Sequence, residues 1–98
     1  MTKIILSKEA REDLIGIGSY TQKKWGREQR LKYLEQLHST FKKLAEGQLR
    51  GRQRNELVGS PLSYPEGSHI IFYQETKNGI EVLRILHKRM DFGKYFKE

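Results

Sequence analysis

The dipeptide Asn78-Gly79 constrains this chain more than any other feature. It is the strongest two-residue hairpin turn in the sequence, because both positions tolerate positive φ. It divides two strings rich in β-branched and aromatic residues, Ser68 to Thr76 and Ile80 to His87. Such strings around such a turn predict two antiparallel strands. With Asn78 and Gly79 at the corners, Lys77 faces Ile80. One face of the hairpin then carries Ile70, Phe72, Gln74, Leu83, Ile85 and His87. The other carries Ile71, Tyr73, Glu75, Val82, Arg84 and Leu86. Both faces are substantially apolar, so both need cover. A one-residue slip would exchange them.

Cover for one face precedes the hairpin. Residues 3–6 (Lys-Ile-Ile-Leu) read as a short strand. Ser7 then stands at a helix N-cap, with Glu9 in the first turn. Ala10, Leu14, Ile17 and Thr21 follow at spacings of three and four, one face of a helix. Gly16 and Gly18 weaken that helix by roughly 1 kcal/mol each against Ala, and close approach of another backbone would account for them. Gly26 stops the helix after Trp25. A second helix starts near Arg27, carries Leu31, Leu34, Leu37, Phe41 and Leu44 as a stripe, and ends at Gly47. A connection this short makes the helices antiparallel neighbours. Residues 47–60 form a polar loop holding Arg50, Arg52 and Arg54. Leu62 to Tyr64 read as a short strand stopped by Pro65 and Gly67.

The expected architecture is α+β. An antiparallel sheet of about four strands, in the order β-α-α-β-β-β, carries an N-terminal αα-hairpin packed on one face. The hairpin spans about 7–46 and the sheet about 62–87. The tail, 88–98, offers Met90, Phe92, Tyr95 and Phe96 as part cover for the second face, and a partner chain covers the rest. A chain of 98 residues makes one domain.

Lys and Arg outnumber Asp and Glu by 19 to 12, a net charge of +7. That bias draws nucleic acid, a nucleic-acid-bound protein or an acidic partner chain. No apolar run is long enough to span a membrane or form a signal-peptide core. With no cysteine there is neither a disulfide framework nor a thiolate metal site. A soluble protein of a reducing compartment fits these features.

The chemistry-bearing motifs are sparse. His38, His69 and His87 have no His or Cys partner at ligand spacing, so no metal site is expected. There is no phosphate loop and no nucleophile elbow. His87, with Arg84, Lys88 and Arg89 nearby, has the composition of a metal-free ribonuclease cluster. Arg84 and His87 point to opposite faces in the derived register, however, and acid–base work needs convergence. Neither a helix-turn-helix nor a basic strand set with stacking aromatics is present.

In order along the chain come Leu6-Ser7-x-x-Ala10-x-x-Asp13-Leu14, Trp25-Gly26-x-x-Gln29, Leu44-Ala45, Gly51-Arg52 and Glu56-Leu57. Tyr64-Pro65-x-Gly67-x-His69, Phe72-Tyr73 and Ile80-Glu81-Val82-Leu83-Arg84-Ile85-Leu86-His87-x-Arg89-Met90-Asp91 follow. Together these resemble the ParE-type toxins of the RelE/ParE superfamily of bacterial toxin–antitoxin systems, over residues 4 to 91. The resemblance implies the fold above. It implies a non-enzymatic, cofactor-free toxin of the bacterial cytoplasm that inhibits DNA gyrase by binding, trapping it on cleaved DNA. It also implies a ParD-type antitoxin that neutralises the toxin in a hetero-oligomer, with operator DNA reached only through the antitoxin.

The RelE-like branch, which cleaves mRNA on the ribosome, carries an Arg near the start of the central strand. Ile70 stands at that position here, and residues 69–76 contain no Arg. The enzymatic alternative thus lacks a component. A degenerate homologue that only binds antitoxin is a third reading. Antitoxin contacts are expected on the two-helix surface, around Ile17, Leu34 and Phe41, and on the sheet face near Phe72. Gyrase contacts are expected at Arg89, Met90, Phe92 and Tyr95 and at Arg50, Arg52 and Arg54, two basic segments that the pattern leaves exposed.

Overall fold

A computed structural model describes residues 2–97. Strand β1 (Lys3–Leu6) leads directly into helix α1 (Lys8–Trp25). Ser7 is the N-cap expected: its Oγ accepts the Ala10 N–H at 2.9 Å. The same hydroxyl donates to the Leu83 carbonyl at 2.7 Å, so the cap also ties the helix start to the sheet. Gly26, at φ 97°, ends α1, and α2 (Arg27–Ala45) begins at the next residue. Gly47, at φ 78°, terminates α2, its N–H donating to the Leu44 carbonyl. Ala10, Ile17 and Thr21 of α1 and Leu37, Phe41 and Leu44 of α2 are buried, as the periodicity predicts, and Leu14 and Leu34 are half-buried. Leu31, expected in the same stripe, is instead 55% exposed. The two helical glycines differ from expectation. A Cβ at Gly18 would lie 3.2 Å from Arg30 Nε and 3.4 Å from Leu34 Cδ1, so it is side chains of α2, not backbone, that press there. Gly16 has open space before it.

Among the described residues the sheet has five strands, not about four, in the order β1-β5-β4-β3-β2. The additional strand is β2 (Arg52–Gln53), drawn from the arginine loop and paired with β3 (Leu62–Glu66). Strands β3, β4 (His69–Thr76) and β5 (Gly79–His87) are antiparallel, but β1 runs parallel to β5, Ile4 beside Ile80 and Leu6 beside Val82. The sheet is therefore mixed. Periodicity reports which residues share a face and carries no information on strand direction.

The β4–β5 register also departs from expectation. Thr76 pairs with Gly79, so Lys77 and Asn78 form the turn. Neither Asn78 nor Gly79 has positive φ. Gly79 is a glycine for a different reason: a Cβ there would stand 1.9 Å from the Lys3 carbonyl oxygen. The strand beside it, and not the turn, excludes a side chain. Pairing then shifts between Tyr73–Val82 and Phe72–Arg84, leaving Leu83 as an extra residue in β5. The bulge moves Arg84 and Leu86 to the face of Ile70 and Phe72, and Ile85 and His87 to the face of Ile71 and Tyr73.

Two cores result, one on each side of the sheet. The helix side joins Ala10, Ile17, Leu37, Phe41 and Leu44 to Ile71, Tyr73, Ile80, Val82 and Ile85. The outer side holds Leu57, Phe72 and Leu86, with Ile70, Phe92 and Phe96 packed on them. Phe92 and Phe96 of the tail thus cover part of the second face, through a 3-10 turn (Phe92–Tyr95), whereas Met90 and Tyr95, expected to share that cover, are exposed. The rings of Phe92 and Phe96 each lie 5.0 Å from Phe72. Full burial of one such ring stabilises by roughly 1.5–3 kcal/mol, so a two-ring strap is a substantial closure for a small face.

Candidate functional site: an aromatic and basic cleft

The end of the helical hairpin stands off the sheet, and the gap is a cleft of about 920 Å³. Gly16, Ile17, Tyr20, Thr21, Lys24 and Trp25 of α1 form one wall. Gln29 and Tyr33 of α2, Ser68 and His69 at the start of β4, His87 at the end of β5, and Met90 complete it. Among the described residues no Asp or Glu lines it. The open space before Gly16 is part of this volume. Tyr20 and Trp25 are largely exposed, at 62% and 66%. Lys24 Nζ sits 5.7 Å from both ring centroids. The rim is therefore aromatic, cationic and unoccupied by the chain's own acids.

The back of the cleft is a polar cluster. His69 and His87 are direct cross-strand partners, their rings edge to face at 5.4 Å. Tyr33 Oη lies 2.7 Å from His69 Nδ1 and accepts the Ser68 N–H at 3.0 Å. Burial, reinforced by the neighbouring His87, lowers the His69 pKa to about 4, so its ring is neutral at pH 7. Burial also raises the Tyr33 hydroxyl. Gly67, at φ 58°, makes the cluster possible. A Cβ there would come within 2.6 Å of the Tyr33 ring. The Gly67-x-His69 spacing in the sequence was the available signal for this cluster; Tyr33, which lies off the leucine stripe of α2, carried none.

Arg84 is held apart from these histidines. Its Nε and Nη2 donate to the Asp13 carboxylate at 2.9 and 2.8 Å, and Asp13 also accepts the Ile85 N–H at 2.9 Å. The hydrogen bonds to Asp13 raise the Arg84 pKa further above its usual value. The guanidinium also lies 4.8 Å from the Tyr95 ring. Arg84 and His87 do face opposite ways, as expected, although each is on the face first assigned to the other.

The expected contact residues separate into surface and core. Arg50 is exposed and loosely paired with Glu75 at 3.6 Å. Arg52 and Arg89 are exposed. Met90 and Tyr95 are exposed at 44% and 38%. Arg54 is not a free loop arginine. Its side chain is only 15% exposed, bonds Ser63 Oγ and Glu56, and spreads over Phe72 and Phe92. Phe92 is itself packed on Phe72. Ile17 lines the cleft and Leu34 is half-buried between the helices. Phe41 and Phe72 are fully enclosed, so both are core residues of the free chain and not available surface. The helical stripe and the strand alternation marked them as apolar without saying which neighbours cover them. Among the described residues no three His, Asp or Glu converge on a metal-sized site, and no helix is long and apolar enough to cross a membrane.

Comparison with known proteins gives one consistent result. Residues 4–92 match the family described as the ParE toxin of the type II toxin–antitoxin system parDE. A Toxin ParE1 of Caulobacter vibrioides is 33% identical over 86 residues, 88% of each chain. A Toxin ParE1 of Mycobacterium tuberculosis is 34% identical over 91 residues, 92% of this chain and 93% of the relative. Among solved structures, a chain of a chromosomal ParDE system from P. aeruginosa superposes with a TM-score of 0.72. It covers 89% of this chain and 96% of its own length at 21% identity, which is a likeness of fold.

Proposed function

The chain belongs to the ParE toxin family of type II toxin–antitoxin systems, and from that premise we propose that it inhibits DNA gyrase by binding and not by catalysis. It traps the enzyme on cleaved DNA in the bacterial cytoplasm and is neutralised there by a ParD-type antitoxin. The observation that carries the non-catalytic reading is the Asp13–Arg84 pair. It engages the arginine of β5 on the face opposite the histidines, and β4 supplies no other. The histidines are thus left without an arginine from either central strand to stabilise a phosphate in flight.

The cleft suits the antitoxin. Its apolar and aromatic walls with a cationic rim match an amphipathic, acidic segment, with Ile17, Tyr20 and Trp25 taking the apolar side chains and Lys24 an acid. Operator DNA is reached through the antitoxin in the toxin–antitoxin hetero-oligomer. The exposed Arg50, Arg52, Arg89, Met90 and Tyr95 remain the gyrase contacts. The test is plasmid supercoiling and cleavage by purified gyrase, with toxin added and then antitoxin. Trapped cleaved DNA that the antitoxin relieves is the expected result.

One observation favours the second reading, a ribosome-dependent mRNA endonuclease. His87 does not stand alone: His69 and Tyr33 are beside it, and the His69 ring is neutral at pH 7. If gyrase is untouched and mRNA on translating ribosomes is cut, that cluster becomes the acid–base centre.

A further inference from the structure

Strand β1 ends the sheet, and its outer side has no strand beside it among the described residues. Its backbone directions follow from two hydrogen bonds. The Lys3 N–H donates to the Asn78 carbonyl at 2.8 Å and the Ser7 N–H to the Val82 carbonyl at 3.0 Å. Along a strand beside a parallel neighbour, the N–H and C=O of one residue point the same way and alternate from residue to residue. Lys3, Ile5 and Ser7 therefore face β5. Ile4 and Leu6 present both donor and acceptor to the open side.

Apart from Lys3, the side chains do not defend this edge. Ile4 is 39% and Ile5 44% exposed, and they lie on opposite faces of the sheet. Within β1 there is no proline and no acid, its one charged residue, Lys3, stands at the first position, and its pairing with β5 is regular. Such features ordinarily block strand addition. The opposite edge, β2, is only two residues long and carries polar Arg52 and Gln53. The asymmetry marks β1 as an edge kept open for pairing.

Charge selects the occupant. Exposed Lys3 opens the strand and exposed Lys8 follows it by two residues, and the chain carries +7. A second copy would bring like charge to like charge, whereas an acidic segment is attracted. We propose that the open edge of β1 receives an extended acidic segment of the antitoxin as a sixth strand. Ile4 and Leu6 supply the backbone hydrogen bonds, and apolar residues of the segment cover Ile4 and Ile5 on the two faces. This rests on the antitoxin reading above and adds a second contact to the cleft, on a different part of the molecule.

Ile4→Pro isolates the edge. It removes one outward N–H and leaves the inward bonds of Lys3, Ile5 and Ser7, and proline is tolerated on edge strands where the N–H faces solvent. Full-length antitoxin is titrated calorimetrically into the native toxin and the variant, with circular dichroism confirming the fold. One lost hydrogen bond weakens binding by roughly 3- to 10-fold, and the ring obstructs the incoming strand, so a loss of about 10-fold or more is expected. Amide exchange of the native toxin needs no variant: Ile4 and Leu6 exchange freely alone and slow at least about 10-fold in the complex once hydrogen-bonded. A tight complex in which Ile4 and Leu6 still exchange freely overturns this inference and leaves the antitoxin reading standing. So does concentration-dependent protection of those amides in toxin alone, which would make the occupant a second copy. Failure of the antitoxin to bind the native toxin overturns both.

Discussion

Asp13 and Arg84, 71 residues apart, meet in a two-pronged ion pair that joins helix α1 to strand β5 just beyond the last pairing of β1. Both side chains are mostly buried, at 13% and 22% exposure. The same carboxylate takes the Ile85 N–H, so it orders the strand immediately after the Leu83 bulge. The pair therefore ties the first half of α1 to the sheet at that point.

Asp13→Asn removes the charge while keeping an acceptor. It should destabilise the fold by about 1.5–3 kcal/mol, the range for hydrogen bonds to charged groups. Urea unfolding reads this directly. Combined with Arg84→Ala, the two losses should fall well short of additive, because each removes the same contact.

The glycine of the hairpin gives a sharper contrast. Gly79→Ala places a methyl against the Lys3 carbonyl and should cost about 3 kcal/mol or more, at or beyond the upper end for overpacking. Asn78→Ala should cost less than about 0.5 kcal/mol, the usual range for surface substitutions, because Asn78 does not hold positive φ. Thermal melts of the two variants settle it: equal losses would return the special conformation to the turn.

The loop arginines should divide in two. Arg50→Ala with Arg52→Ala should leave the melting temperature within a few degrees of native and weaken gyrase inhibition. Arg54→Ala should destabilise by about 1–2 kcal/mol, because it loses a buried hydrogen bond to Ser63 and the cover over Phe72 and Phe92. Unchanged inhibition by the double variant would remove the loop from the target site.

The pH dependence follows from His69. Its folded pKa, about 4, lies below the ordinary value of 6.5. Between those values the unfolded chain binds the proton and the folded chain does not, so stability rises with pH there. The contribution is fully present above pH 6.5 and is lost as pH falls from 6.5 towards 4. Denaturant midpoints across pH 4–7 should show this slope, and His69→Asn should flatten it. An unchanged slope in the variant would assign the dependence to other groups.

How far the sequence carried depends on the range of the interaction. The helix cap at Ser7, the stops at Gly26 and Gly47 and the stripe of α2 from Leu34 to Leu44, though not its exposed first member Leu31, are legible, because each is decided within a few residues. So is the need for the tail to cover the sheet: apolar alternation on both faces demands a second layer. The hairpin register departs from the local pattern for a physical reason. Asn78-Gly79 has the composition of a positive-φ turn, but Gly79 answers to Lys3, which lies at the far end of the chain. The bulge at Leu83 carries no composition signal at all, and it alone decides which face Arg84 and His87 occupy.

The site divides the same way. Composition and local order set the basic charge, the two helices, the central strands and the family likeness. Tertiary structure alone decided that β1 runs parallel to β5, that Arg54, Phe41 and Phe72 are enclosed, and that Tyr33, His69 and His87 share one cleft. Those outcomes depend on which surfaces meet across dozens of residues. Local pattern names the surfaces that must be buried, and only packing chooses their partners.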